Sequence, residues 1–176
     1  VASIQGTLWS IPGVGGPATA LTRPEMDAQE PVFSPDGKWA AYRAMKRPGF
    51  EADRFGIMLR DVVSGQEREL APGWDRSADA IAWSRDGKTI YATALDVGQG
   101  KLFAIDAKTG KVTPLTGEGH VSAFDVGPTG LVYASDSLKS PSELFFLPTK
   151  GPAVKVASVS SEALKNVRSE EHTSEL

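Results

Sequence analysis

The stretch that decides the fold is Pro31-Val-Phe-Ser-Pro-Asp-Gly-Lys-Trp-Ala-Ala-Tyr42. It reads as a complete β-hairpin. Val32 and Phe33 suit a strand. Pro35 presets φ for the first corner of a type I turn, Asp36 suits the second, and Gly37 takes the left-handed residue that follows. A second strand starts at Lys38. The device returns as Ile81-Ala-Trp-Ser-Arg-Asp-Gly-Lys-Thr-Ile-Tyr91. A degraded third copy spans residues 124–134, where Gly127-Pro128-Thr129-Gly130 replaces Ser-Pro-Asp-Gly.

A second kind of hairpin alternates with the first. It consists of an apolar strand, a Gly-containing turn and a short strand. It begins at Leu8, Ile57, Leu102 and Leu144, at spacings of 49, 45 and 42 residues. Two alternating hairpins per period of that length, with no helical stretch, predict the four-stranded blades of a β-propeller. The predicted fold is all-β: three four-stranded antiparallel blades and a leading hairpin over residues 1–157. An ordinary β-sandwich is the alternative, and the fixed order of the two hairpins disfavours it.

Known propellers close with four to eight blades. Three do not close, so the chain is expected to be a piece of a larger wheel, with unpaired flanks that invite association. It lacks an initiating Met, and an upstream start is expected. Residues 158–167 are polar and read as a linker. Residues 168–176, Arg-Ser-Glu-Glu-His-Thr-Ser-Glu-Leu, look like one reading frame of a sequencing adapter rather than native protein.

Composition excludes more than it assigns. The net charge of −3 gives no electrostatic case for nucleic acid or an anionic membrane. No apolar run approaches the roughly 20 residues of a spanning helix. With no Cys and two His, neither disulfides nor a metal site gain support, and no cofactor is expected. The nucleophile elbow Gly-x-Ser-x-Gly is absent. His120 reads better as a surface residue than as a catalytic one, and His172 lies in the suspect tail. Asp106-Ala-Lys-Thr-Gly-Lys111 lacks the first Gly and the final Ser/Thr of a phosphate loop, and it lies between strands. No catalytic residue is predicted.

Turns within hairpins should fall on one face of the blades, and the connections between hairpins, read as Ala44–Phe55, Ala71–Ala80, Ala94–Gly100, Gly117–His120 and Ser135–Ser142, on the other. The second face is the better place for function, because longer loops on a rigid scaffold carry more chemistry. One connection stands out: Met45-Lys-Arg-Pro-Gly-Phe-Glu-Ala-Asp-Arg-Phe55. It concentrates Lys46, Arg47, Glu51, Asp53 and Arg54 around Phe50 and Phe55. Mixed charge beside aromatics suits a binder of peptide ends: a carboxylate for an α-ammonium, a guanidinium for a carbonyl or carboxylate. An internally salt-bridged loop bracing the blade fits the same residues, and both readings stay open. Trp74, Asp75 and Arg76 fall on the same face; a packed Trp with solvated charges is the simpler reading there.

At these residues the chain resembles a known group. Ser-Pro-Asp-Gly-Lys followed by an apolar strand is similar to the WD40-like repeat of TolB-type propellers. Arg47–Arg54, Trp74–Ser77 and Asp136-Ser-Leu-Lys-Ser-Pro-Ser-Glu-Leu144 together resemble the propeller of bacterial dipeptidyl-peptidases and acylaminoacyl-peptidases of the prolyl oligopeptidase family. Ser161–Val167 resembles that family's exit into its α/β-hydrolase domain. The resemblance implies a serine peptidase acting on short peptides, with this propeller gating the substrate and the triad on the missing hydrolase domain, its main partner. It also implies a periplasmic or secreted location. A TolB-like periplasmic propeller that binds proteins without catalysis is the alternative.

Overall fold

The computed structural model describes residues 2–4, 6–23, 26–47, 49–50 and 52–158. The predicted linker beyond residue 158 and the adapter-like tail lie outside them. The chain divides into two compact units, Val1–Thr116 and Gly117–Leu176.

The first unit opens with a three-stranded antiparallel sheet of β1 (Ala2–Ile4), β2 (Thr7–Ser10) and β3 (Thr19–Ala20). The expected leading hairpin is thus β2–β3, and β1 extends it. A meander follows: β4 (Gln29–Phe33), β5 (Trp39–Ala44), β6 (Gly56–Asp61) and β7 (Glu67–Leu70), in that spatial order. A second meander holds β8 (Ala78–Trp83), β9 (Thr89–Asp96), β10 (Gln99–Asp106) and β11 (Val112–Pro114). The second unit repeats the plan with β12 (His120–Val126), β13 (Gly130–Ser137), β14 (Ser140–Pro148) and β15 (Val154–Ala157). Each meander is one blade, as the repeat predicts.

The Ser-x-Asp-Gly-Lys turns work through one local network. Ser34 Oγ donates to Asp36 Oδ1 at 2.7 Å and accepts from Trp39 N at 3.0 Å; Asp36 Oδ1 also accepts from Lys38 N. Ser84, Asp86, Lys88 and Thr89 repeat these bonds in the next blade. The Ser hydroxyls and backbone N–H groups hold both Asp carboxyls below the usual carboxylate range. Gly37 needs its φ of 69°, and nothing crowds the space its side chain would fill. In the degraded copy the reason changes. A side chain at Gly130 would collide with the Leu147 carbonyl, so glycine is kept there for close strand approach.

Strand β5 shows why these middle strands do not alternate. Ala40, Ala41, Tyr42, Arg43 and Ala44 are all buried, because both faces of the sheet are covered. On one face Ala41, Ile57, Leu59 and Leu70 pack with Ile81, Trp83, Ile90 and Ile105 of the following blade. Trp83 Nε1 donates to Val32 O at 3.2 Å across that seam. On the other face Tyr42 and Ala44 join Leu8 and Ala28. Burying such aliphatic side chains stabilises by about 1.5–3 kcal/mol each.

Two expected connections are shorter than predicted. The stretch read as a loop at Ala94–Gly100 is the two-residue turn Val97-Gly98 between β9 and β10. The stretch Ser135–Ser142 shrinks to Leu138-Lys139 between β13 and β14. Val97 and Gly98 have φ of 50° and 77°, the doubly left-handed geometry of a tight hairpin. A β-branched residue rarely adopts it, which hid the turn.

Candidate functional site

Antiparallel pairing puts the β5–β6 loop, the β7–β8 connection and the β9–β10 turn at one end of the first unit's blades. The β5–β6 loop, residues 45–55, is held at both ends. Met45 N donates to Met26 O at 3.1 Å, and Phe55 N donates to Ser77 Oγ at 3.1 Å while Phe55 O accepts from Ala78 N. Inside the loop Asp53 acts as a staple. Its Oδ2 accepts from Arg47 N at 2.6 Å and its Oδ1 from Arg54 N at 3.2 Å. The Arg47 amide first, then the Arg47 charge and the neighbouring amides, outweigh desolvation and hold the Asp53 carboxyl low. The Arg47 guanidinium lies 4.3 Å from the centre of the Phe50 ring, a cation–π contact.

The loop closes on Glu69 of β7. Glu69 Oε2 pairs with Lys46 Nζ at 2.9 Å, and Oε1 accepts a hydrogen bond from Arg54 Nη2. Arg54 Nη2 also donates to Pro72 O at 3.0 Å. Burial pushes the Glu69 carboxyl up, but the hydrogen bonds from Lys46 and Arg54 outweigh it and leave the group below its ordinary value. Gly56 leaves room for the pair, since a Cβ there would lie 2.8 Å from Glu69 Oε1. Beside these charges lies an open cleft of about 580 Å³. Arg23, Lys46, Arg54 and Glu69 supply its polar lining, and Met26, Met45 and Met58 much of its apolar lining. That volume is in the ordinary range for small-ligand sites.

A second acid with two bases sits nearby in the same unit. Asp96, at the end of β9, accepts from Arg76 Nε at 2.9 Å and pairs with Lys101 Nζ at 2.7 Å. Lys101 first, then Arg76, hold its carboxyl below the usual range. Trp74 packs edge-on against Phe103 at 5.1 Å and joins the core. The Asp75 side chain is 98% exposed.

Arg43 on β5 clasps the loop end to the next blade. Its Nη1 donates to Ala78 O at 2.8 Å, its Nη2 pairs with Glu30 at 2.9 Å, and its guanidinium stacks 5.1 Å from the Phe55 ring. Its buried Nε has no hydrogen-bond partner among the described residues.

The candidates from sequence therefore divide. Arg54 reaches the cleft. Arg47 and Asp53 make the bonds of an internally braced loop. Arg76 is drawn to Asp96, Trp74 is packed, and Asp75 faces solvent. Glu51 lies outside the described residues. Arg23, Arg43, Glu69, Asp96 and Lys101 escape a reading by sequence. The register of β7 on β6 sets Glu69 opposite Met58, next to the loop, and only the pairing of those strands reveals it. In the second unit, His120 Nδ1 stands 3.5 Å from Asp136 Oδ2.

No family model matches the chain. Among solved structures, acylaminoacyl peptidase from Pyrococcus horikoshii matches with a TM-score of 0.73 at 17% identity, over 92% of this chain and 24% of that one. TolB from Acinetobacter baumannii matches with a TM-score of 0.68 at 22% identity, over 87% of this chain and 38% of that one. At these identities the likeness shows the fold: the chain is part of a β-propeller. Sequence relatives narrow the class. Dipeptidyl-peptidase 5 of the fungus Trichophyton schoenleinii is 43% identical over 101 residues, 55% of this chain and 14% of that protein. Dipeptidyl-peptidase 5 of the bacterium Porphyromonas gingivalis is 30% identical over 135 residues, 76% of this chain and 20% of that protein. The chain thus spans no more than about a fifth of the length of these two relatives. Its propeller sequence is similar to part of dipeptidyl-peptidase 5.

Proposed function

We propose that this chain is the substrate-gating propeller portion of a serine peptidase that cleaves short peptides, of dipeptidyl- or acylaminoacyl-peptidase type. The supporting observation is its relatedness to dipeptidyl-peptidase 5 of both a fungus and a bacterium over blade-forming residues. The sequence holds no Gly-x-Ser-x-Gly. The nucleophile would therefore belong to an α/β-hydrolase domain of the longer protein. The propeller's part would be to limit which peptides reach that domain and to hold one end of them.

On this reading the seven candidates have different tasks. Arg54 presents a guanidinium to a peptide carbonyl or carboxylate, and Glu51 a carboxylate to an α-ammonium. Arg47 and Asp53 keep the loop in shape. Trp74, Asp75 and Arg76 form the neighbouring rim. The test is kinetic. In the longer enzyme, Glu51→Ala should raise KM for free-amine peptides by roughly tenfold or more and leave N-blocked peptides nearly unchanged. An equal rise for both kinds rejects the assignment. A TolB-type propeller that only binds proteins is the other reading, because it shares the fold. A longer reading frame without a Gly-x-Ser-x-Gly strand–turn–helix would select it.

A further inference from the structure

Among the described residues, the cleft beside Glu69 has more positive charge than its own acid can neutralise: three cations line it, Arg23, Lys46 and Arg54, against one carboxylate. Glu69 is committed to Lys46 and Arg54. Asp53 is committed to loop amides, and Glu30 to Arg43. Arg23 is exposed, the Lys46 side chain is 65% exposed, and both can swing onto a ligand. Arg54 bonds Glu69 and Pro72 through Nη2, which leaves the Nη1 side of its fork facing Gly56 and the cleft.

An incoming α-ammonium would meet a neutralised carboxylate and a surplus of positive charge. An incoming carboxylate would meet Arg23, Lys46 and half of a guanidinium fork, with Met26, Met45 and Met58 to cover the adjoining methylenes. Flexible thioethers suit side chains of varied shape. Charge-assisted hydrogen bonds from arginine are the stronger kind, and they favour a planar acid over a carbonyl.

We infer that this cleft is a carboxylate subsite for peptides, taking either a C-terminal α-carboxylate or an acidic side chain. The inference rests on the proposed peptide-binding role and specifies which charge the cleft selects.

The experiment uses the 176-residue chain at low ionic strength and four peptides, with binding followed by calorimetry. They are acetyl-Ala-Ala-Leu with a free carboxylate, acetyl-Ala-Ala-Leu-amide, acetyl-Glu-Ala-Leu-amide and Ala-Ala-Leu-amide with a free amine. The first or third should bind, and whichever does identifies the source of the carboxylate. The neutral acetyl-amide should be weaker by roughly ten- to a hundredfold. Lys46→Gln and Arg23→Gln should each weaken the acidic peptide by about tenfold, and raised salt should weaken it further. Both are exposed side chains, so the fold should survive, and Lys38→Gln, in the β4–β5 turn with its side chain 75% exposed, serves as the control outside the cleft.

Equal binding of acidic and neutral peptides, or no binding of either acidic peptide, overturns the inference. Binding of the free-amine amide alone overturns it too, yet leaves the peptide-anchoring role standing. Acid-dependent binding in a protein whose longer frame lacks a hydrolase domain keeps the inference and removes the peptidase reading.

Discussion

Blades β4–β7 and β8–β11 solve the same connection in opposite ways. Between their second and third strands, β9 and β10 turn through Val97-Gly98 alone, while β5 and β6 are joined by the eleven residues 45–55. Near each connection an acid is flanked by two bases: Asp96 by Arg76 and Lys101, Glu69 by Lys46 and Arg54. At the short turn the backbone bends itself, and the charges only seal its base. In the long loop the charges, the Asp53 staple and the Arg43 clasp set the loop's shape, and a methionine-lined cleft opens beside it. Four-stranded sheets of the same order thus carry a tight turn in one blade and a cleft-lining loop in the other, and the difference lies in chain length and in what braces it.

The largest effect should come from the core that both regions share. Leu59 is 1% exposed and packs across the seam between the blades. Leu59→Ala should cost about 2–5 kcal/mol in denaturant unfolding. Protection of amides in both connections should fall together. Loss in the loop alone would show that the two blades are not one cooperative block and would break the comparison.

Arg43→Met comes next. It removes the donor to Ala78 O and the partner of Glu30 while keeping much of the aliphatic stem, at a cost of roughly 1–3 kcal/mol. Limited proteolysis should then cut within residues 45–55 sooner than at Val97-Gly98. Unchanged cleavage of the loop would mean that the clasp does not hold it.

The smallest effect is acid titration, which sharpens the comparison. Glu69 and Asp96 both have folded-state pKa values lowered below their ordinary 4.5 and 3.8. A lowered pKa means that the folded state binds its proton later than the unfolded state. Each acid's contribution is therefore present above the ordinary value and lost as pH falls through the lower folded one. Carboxylate chemical shifts followed by NMR should show both midpoints displaced downward. Lys46→Gln should move the Glu69 midpoint back up and leave Asp96 in place. Movement of both would mean that the two clusters are electrically coupled.

The legible features were those made by neighbours in the chain. The Ser34–Asp36–Lys38 turn network closes within a few residues, so its residue types announce it wherever it recurs, and the blade repeat follows from it. The loop 45–55 was legible as an excess of length and charge over its counterparts. The Val97-Gly98 turn was not, because its geometry is one that valine disfavours and only the pairing of β9 with β10 enforces it. Nor could composition say whether Asp53 would meet a ligand or the amide of Arg47.

The sequence by itself determined the Ser-x-Asp-Gly-Lys turns and, through their recurrence, the blade period, since each such turn depends on contacts only a few residues apart. Tertiary structure alone decided that Glu69 meets Lys46 and Arg54, which precede it by 23 and 15 residues, and that Arg43 reaches Ala78, 35 residues on. Those meetings need β6 paired with β7 and one blade packed on the next. The sign and shape of the cleft are set by which charges neutralise one another after that packing, and spacing along a chain does not carry that information.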